Sequence, residues 1–309
     1  MITYLVRRLL WLPFLLLIIA FITFALGLYG PGDPVLVMLG QHADPEAADR
    51  VRQELGLDRP FLIQYADYVW SALHGDFGES LKYRGQPVGR LMAKRLAVTV
   101  QFNAVVMAVG VAVGIPLGIL AALNRNNAID YLIVSLTVAG ISLPVFAIAP
   151  MAMWLLAVRF HLLPSGGWDG IFSRRIIMPT LVLAIGPAAV FMRQTRANML
   201  EVLGQDFVRT ARAKGLREYT VIVAHTLRNA LIPLFTIFGM MLGGLVGGGI
   251  ITESIFGIPG IGRLVWDAFG ARDYPVIMAY TLLVAVAYTL ANLFVDVCYR
   301  FVDPRIRYG

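Results

Sequence analysis

Six long runs of apolar residues alternate with polar stretches along the chain. A helix needs about 20 apolar residues to cross roughly 30 Å of hydrocarbon, and each run is long enough to do so. The first run follows Arg7 and Arg8 and is longer than the apolar core of a signal peptide, so we expect it to remain as the first span. The pattern predicts six membrane-spanning helices: Leu9–Tyr29, Leu96–Leu123, Tyr131–Val158, Ile177–Leu200, Leu231–Thr252 and Val276–Cys298.

Composition supports an integral membrane protein. Hydrophobic residues make up 58% of the chain and charged residues 15%, and the mean hydropathy is +0.73, whereas soluble domains are about half apolar and a quarter charged. The net charge of +7 sits at the ends and between the spans, and no basic-aromatic surface for nucleic acid is present. Cys298 is the single cysteine, which excludes an internal disulfide and a cysteine-based metal cluster.

The distribution of Lys and Arg predicts the orientation. Seven cations lie between Arg193 and Arg228, and others lie near both ends, whereas the two short connections on the other side hold five. Because cytoplasmic loops carry the excess of cations, we expect both termini in the cytoplasm. The connection 30–95 would then be external. It carries eight cations but is long enough for the rule to weaken.

The external segment shows two helix signals. In DPEAADRVRQELG, Asp44 is the expected N-cap, Pro45 the first helical residue and Gly56 the residue past the end. DRPFLIQYADYVWSALHG follows, with an apolar face expected to comprise Phe61, Leu62, Tyr65, Val69 and Leu73. Tyr65, Tyr68 and Trp70 suit a helix at the lipid headgroups, and a small cap on the external loops is the alternative.

Small and ionisable residues within the spans are the next candidates. Span five contains glycines at intervals of four in two series, Gly239, Gly243, Gly247 and Gly244, Gly248. This spacing is consistent either with close helix packing or with a flexible, pathway-lining helix. Prolines predict kinks at Pro116, Pro144, Pro150 and Pro187. The ionisable residues lie near span ends, where we expect them to reach water or headgroups: Arg193, Arg196, Glu253 and Asp296.

Several kinds of chemistry have no sequence support. GIPGIGRL lacks the spacing and lysine of a phosphate-binding loop, and the four histidines form no metal-binding pair. The spans contain no combination of Ser, His and an acid that would indicate an intramembrane protease. No acid lies near mid-membrane, where a gradient-driven carrier would use one. Any uphill transport is therefore expected to draw its energy from a partner.

The stretch DFVRTARAKGLREYTVIVAHTLRNALIP is basic yet lies between two apolar runs. Five cations in mid-bilayer would cost roughly 12–18 kcal/mol together, so it must lie in water. Its pattern predicts a short helix, a turn at Gly215 and a second helix. The second helix has one expected apolar face: Leu216, Tyr219, Val223, Leu227, Ala230 and Leu234.

Two interpretations of this stretch remain open on physical grounds. Thr210, Ala211 and Ala213 are small enough for another protein to approach closely. The cations Arg212, Lys214 and Arg217 would supply directed charge beside them. The segment is thus either a docking site or a topology anchor that contacts nothing.

RTARAKGLREYTVIVAHTLRNALIP resembles the cytoplasmic signature loop of ABC-importer permeases, E-A-A-x-x-x-G-x9-I-x-L-P. Gly215 matches the fixed glycine and Ala211 the second alanine, whereas Arg209 and Thr210 replace the glutamate and first alanine. Residues His225, Leu227 and Arg228 stand where I-x-L-P would be. These departures are typical of the dipeptide and oligopeptide branch. PGDPV, LGLDRPFLIQY, GDFGES, ESIFGIPGIGRL, RDYPVIMA and DPRIRYG also resemble the first permease subunit of that branch.

The resemblance implies an all-α membrane bundle of the type I ABC importer permeases, with six transmembrane helices. Residues 1–95 would form the first helix and the external helical segment. Residues 96–299 would form the transporter domain with its coupling loop at 201–230, and residues 300–309 a cytoplasmic tail. Its implied partners are the bilayer, a second homologous permease subunit, two ATPase subunits and an extracytoplasmic substrate-binding protein.

The implied function is import of dipeptides or short oligopeptides across the cytoplasmic membrane. ATP and Mg would bind the ATPase subunits, and no cofactor, metal or catalytic residue is expected in this chain. A groove of an ATPase would receive the coupling residues: Thr210, Ala211, Arg212, Ala213, Lys214, Gly215, Leu216 and Arg217. Glutathione, nickel complexes and oligosaccharides remain alternative cargoes, and a stand-alone secondary carrier is the alternative mechanism.

Overall fold

The computed structural model describes residues 2–30, 35, 39, 44–54 and 56–302. The motif PGDPV and residues 303–309 of the expected tail lie largely or wholly outside that part. The described chain is helical, and its one β-bridge pairs Glu79 with Pro87. In chain order the helices are α1 (Ile2–Tyr29), α2 (Pro45–Glu54), α3 (Phe61–Leu73), α4 (Val88–Leu123), α5 (Ala128–Ser142), α6 (Val145–Arg159), α7 (Arg174–Leu203), α8 (Asp206–Ala213), α9 (Glu218–Ala230), α10 (Ile232–Gly247), α11 (Ile250–Ile255), α12 (Ile261–Ala271) and α13 (Tyr274–Val302).

Four described helices are each long and apolar enough to cross a membrane: α1, α4, α7 and α13. Two bent pairs, α5 with α6 and α9 with α10, pass the same test together. The prediction of six spans is confirmed when each bent pair counts as one span. The connections 124–127 and 204–217 define the basic end of the bundle, and the connections 44–87, 160–173 and 248–273 define the opposite end.

The third span is broken at Pro144, where the sequence predicts a kink. Its two halves, α5 and α6, meet at an angle of 99°. Pro144 has no N–H to donate and its ring disfavours a helical residue before it. Leu143 accordingly adopts an extended backbone with ψ 126°. The other three predicted kink prolines, Pro116, Pro150 and Pro187, lie inside helices that continue through them.

The fifth span is shorter than predicted. Helix α10 ends at Gly247, because Gly248 takes the left-handed backbone with φ +67°. A separate short helix, α11, follows, so Thr252 and Glu253 lie beyond the span. The expected continuation of the span to Thr252 is therefore wrong.

The pair α4–α7 forms the centre of the bundle through close backbone contact. Three glycines of α4 face α7 at intervals of four residues, and we call Gly110, Gly114 and Gly118 the glycine seam. A Cβ on Gly110 would lie 2.5 Å from the Cβ of Pro187, and one on Gly118 would lie 2.6 Å from the carbonyl oxygen of Met192. Only residues without a side chain allow the two helices to approach this closely.

Helix α2 begins at Pro45, where the sequence predicts. The Asp44 carboxylate accepts a hydrogen bond from the Glu46 N–H at 3.3 Å, and Gly56 has φ +65°. Helix α3 packs on α1 through aromatic rings, and the ring centroids of Phe61 and Phe21 are 5.3 Å apart. The expected apolar face of α3 is only partly correct, because Leu62 and Leu73 are exposed.

Candidate functional site

The short helix α8 is held on the basic end of the bundle by its own apolar side chains. Val208 is fully buried and Ala211 nearly so. Both lie in a cluster with residues from α4, α7 and α9: Ala122, Met199, Val202, Val221 and Ala230. The small side chain of Ala211 therefore permits contact within this chain, and the interpretation that a partner approaches it is corrected.

The predicted turn after α8 is present. Gly215 has φ +76°, and its N–H donates to the Arg212 carbonyl oxygen at 2.9 Å. The Leu216 N–H donates to the Ala211 carbonyl oxygen at 3.4 Å. Such a left-handed residue ends a helix at little cost only when it is glycine. The turn thus redirects the chain from α8 into α9, as the sequence predicts.

An exposed ion pair bridges this turn. The Arg212 guanidinium donates to both carboxylate oxygens of Glu218, at 2.6 and 3.2 Å. These hydrogen bonds lower the pKa of the Glu218 carboxyl group, and they raise the pKa of Arg212. Lys214 and Arg217 are exposed and have no ion-pair partner within 4 Å among the described residues. The charge directed away from the chain is therefore that of Lys214 and Arg217, and Arg212 stabilises the turn.

The expected apolar face of α9 divides into two parts. Ala230 and Leu234 are buried and Leu227 is half-buried, as expected, whereas Leu216, Tyr219 and Val223 are exposed. Leu216 and Tyr219 precede the π-helical stretch Val221–Leu227, and Val223 lies inside it; this stretch buries Val221 and Thr226 instead.

Together these residues form one surface at the basic end, which we call the α8–α9 surface. Its members are exposed and combine small, cationic and apolar side chains: Thr210, Ala213, Lys214, Gly215, Leu216, Arg217 and Tyr219. A Cβ on Gly215 would meet no atom of this chain within 4 Å. Exposed apolar groups beside unpaired cations are typical of a surface that contacts another protein.

An ion pair between a buried acid and a partly exposed arginine lies closer to the middle of the bundle. Both carboxylate oxygens of Asp130, in the first turn of α5, accept from the Arg196 guanidinium of α7 at 2.6 Å. Asp130 is 2% exposed. Arg196 is partly exposed, in line with its place near the span end, but it also pairs with Asp130; Arg193 is exposed as expected. The side chain of Asp296 lies outside the described part of the structure.

At the opposite end, Glu253 is fully buried, which corrects the expectation that it reaches water. Its carboxylate accepts from the Thr99 hydroxyl at 2.7 Å and from the Arg263 N–H at 3.0 Å. Three glycines line this carboxylate: Gly248, Gly260 and Gly262. Glu253 thereby joins α4, the end of α10 and the start of α12.

The glycines of α10 occupy two different environments. Gly239 and Gly243 are buried, and a Cβ on Gly243 would lie 2.7 Å from the Cβ of Ala291 on α13. A Cβ on Gly244 or Gly247 would meet nothing within 4 Å. Gly248 serves the turn after the helix. One side of α10 is thus a packing face at Gly239 and Gly243, and the other side is open within this chain, so the pathway-lining interpretation stays a prediction for Gly244 and Gly247.

Comparisons with known proteins give the chain a context. Residues 114–308 match the model of the family described as binding-protein-dependent transport system inner membrane component, and residues 1–102 match the model of its N-terminal region. The dipeptide transport system permease protein of Escherichia coli is 41% identical over 94% of both chains. A putative peptide permease protein of Brucella suis is 40% identical over 99% of both.

A solved structure shows the same fold. A chain of the MetNI methionine ABC transporter, in an inward-facing conformation, superimposes with a TM-score of 0.54 at 18% sequence identity. The match covers 69% of this chain and 96% of that one. At this identity the likeness concerns the fold, which is a type I importer permease bundle.

Proposed function

The chain belongs to the family of binding-protein-dependent transport system inner membrane components, and we propose that it forms half of the pathway of an ATP-driven importer for dipeptides or short oligopeptides. The peptide cargo is supported by the names of the relatives, which are dipeptide and peptide permeases similar to this chain along almost its whole length.

The proposal includes an orientation and a set of partners. The basic end lies in the cytoplasm with both termini, because the unpaired cations of the α8–α9 surface cluster there. A second, homologous permease subunit completes the pathway, and two ATPase subunits bind the basic ends and carry ATP and Mg. An extracytoplasmic binding protein delivers the peptide to the opposite end.

One observation carries the proposal. The α8–α9 surface is exposed, yet α8 is fixed to α4, α7 and α9 by Val208 and Ala211. A force applied to Lys214 or Leu216 therefore acts on the ends of membrane-spanning helices through a packed core, and such cores shift as rigid bodies. A topology anchor needs the charges but has no need of this packing.

A crosslinking experiment tests the docking. Cysteine is placed at Lys214 in a Cys298→Ser background, and the chain is assembled with the permease, ATPase and binding-protein subunits of its own transport system. We expect crosslinks to an ATPase subunit. The matched control is cysteine at Phe172, which is 97% exposed at the opposite end and should not reach an ATPase. Crosslinks of equal yield from both positions, or from neither, would overturn the proposal.

A second experiment tests the cargo. The same complex in liposomes is given internal ATP and a labelled dipeptide outside, and we expect uptake that requires ATP. Unlabelled oligopeptides should compete, whereas glutathione, a nickel complex or an oligosaccharide should not. Uptake driven by a proton gradient in liposomes containing this chain alone would instead support a secondary carrier.

A further inference from the structure

The pair Asp130–Arg196 is placed where the basic end meets the membrane-spanning helices. Arg196 lies about two turns before the end of α7, which leads through Gly204 into α8. Asp130 lies in the first turn of α5, and its Oδ2 also accepts from the Asn126 N–H at 3.0 Å. Asn126 has φ +62°. The connection 124–127 and the start of α5 are thus fixed to α7 at one carboxylate.

Apolar packing continues this attachment toward the middle of the bundle. Ile133, one turn after Asp130, is buried against Ala121 of α4 and Met192 of α7. Met192 is in turn one turn before Arg196. The ion pair and this small cluster hold two successive turns of α5 on α7, whereas the exposed side chains of α5 include Leu132, Leu136 and Val138.

The far end of α5 is the break at Pro144. There the chain turns by 99° into α6. Near this break α5 still lies against α7, because a Cβ on Gly140 would lie 2.8 Å from Cγ2 of Ile185. A helix fastened to its neighbour and bent at its far end can change its angle to the next helix without losing its own hydrogen bonds, since Leu143 and Pro144 already lie outside the regular pattern.

We propose that Asp130 and Arg196 are positioning residues that make α5 follow the movement of α7 and α8, so that displacement of the α8–α9 surface changes the angle between α5 and α6. This rests on the proposed function, in which ATPase subunits displace that surface. When α8 is displaced, its packing in the cluster around Val208 moves α4, α7 and α9 directly. The ion pair extends the movement to α5, whose start lies outside that cluster.

Two features favour a mechanical link over a contribution to stability alone. The contact is made by two parallel hydrogen bonds at 2.6 Å, which fix orientation as well as distance. The pair is also a weak source of net stability, because the desolvation of the buried Asp130 carboxylate offsets much of the attraction to the partly exposed Arg196. Hydrophobic residues would hold α5 on α7 equally well, but they would not supply directed hydrogen bonds.

The test compares variants within the assembled complex. Arg196→Lys keeps the positive charge but loses the parallel hydrogen bonds, and Asp130→Asn keeps the shape of the acid. We expect peptide transported per ATP hydrolysed to fall about tenfold in both, as contacting residues couple by amounts of that order. The ATPase rate should persist. The matched control is Arg193→Lys, three residues earlier on α7, exposed and without an ion-pair partner among the described residues.

A distance measurement separates a link from a structural role. Spin labels are placed on cysteines at Leu136 of α5 and Met151 of α6, both exposed, in a Cys298→Ser background. In the otherwise unchanged chain we expect ATP binding to shift the distance distribution. In Asp130→Asn and Arg196→Lys we expect that shift to be lost while the complex stays assembled.

Each outcome decides the matter. Transport per ATP that stays unchanged in both variants, or an ATP-dependent distance shift that persists, overturns the link. Loss of assembly in both variants would assign the pair to folding and also overturn it. If the unchanged complex shows no ATP-driven uptake, the proposed function itself fails, and that result is distinct from a link that fails in an active importer.

Discussion

A Cβ atom on Gly114 of α4 would lie 2.5 Å from the carbonyl oxygen of Ala188 on α7. It would also lie 2.8 Å from the Cβ of Phe191. No side chain fits at such distances without moving a backbone. The glycine seam therefore fixes the separation of α4 and α7, and these two helices support both the α8–α9 surface and the attachment of α5.

We expect Gly114→Ala to lower the stability of the chain, because overpacking a close contact costs about 1–3 kcal/mol. This loss should exceed the gain of nearly 1 kcal/mol that alanine has over glycine inside a helix. Thermal unfolding in detergent measures the effect. The control, Gly186→Ala on α7, places the same methyl group where no atom lies within 4 Å, and it should unfold at or above the original temperature. Equal changes in both variants would contradict the seam.

The sequence predicts those features that depend on a single segment. The spans follow from apolar length, and the turn after α8 follows from Gly215 between two helical patterns. The start of α2 follows from Asp44 and Pro45. Each of these is determined by neighbours within a few residues.

Features that depend on which helices are adjacent could not be predicted. Gly110, Gly114 and Gly118 recur at intervals of four, which is typical of a close-packing face, but nothing along this apolar run shows that α7 is the helix that approaches it. Asp130 has the sequence signature of an ordinary acid in the first turn of a helix, which the helix dipole alone would explain. Its partner is 66 residues away. The π-helical stretch Val221–Leu227 likewise has no signal in the sequence, so the burial of Val221 and Thr226 in place of Val223 could not be predicted.

Two glycines of α10 should respond differently to the same change. Gly243→Leu is expected to impair assembly or transport, because the Cβ alone would lie 2.7 Å from that of Ala291. Gly247→Leu should retain a folded chain, since a Cβ there would meet no atom within 4 Å. Yield of the folded protein by size-exclusion chromatography in detergent distinguishes the two. Similar losses of folded protein in both would show that the open side of α10 is closed in the native state.

Gly215 and Gly170 both have positive φ but lie at opposite ends of the bundle, so alanine at each position separates the effect of backbone strain from the effect of its location. Gly215→Ala places a side chain at φ +76°, and the left-handed region costs such a residue roughly 1–2 kcal/mol. We expect weaker association with the ATPase and slower transport. Gly170→Ala provides a comparable strain at φ +94°, also with no atom within 4 Å, but at the opposite end. Transport rates compared at equal amounts of membrane protein should fall only for Gly215→Ala, and an equal fall in both would assign the effect to stability.

Glu253 predicts a pH dependence of stability at the opposite end. It lies in α11, beyond the end of the fifth span. Burial raises the pKa of its carboxyl group above the ordinary value of 4.5, and the hydrogen bonds from Thr99 and the Arg263 N–H oppose that rise only in part. A raised pKa means that the folded state binds the proton more tightly than the unfolded state. The resulting stabilisation is full below 4.5 and is lost as the pH rises through the pKa of the folded state.

We therefore expect the difference in unfolding temperature between the unchanged chain and Glu253→Gln to decrease as the pH is raised from about 4 to about 8, because the amide does not titrate. Thr99→Val should move this decrease to higher pH, since removing the hydroxyl donor leaves the carboxylate less stabilised. A matched series with Glu218→Gln should show the opposite sign, because the pKa of Glu218 is lowered by Arg212. A difference for Glu253→Gln that grows with pH would mean that its hydrogen-bond donors outweigh its burial.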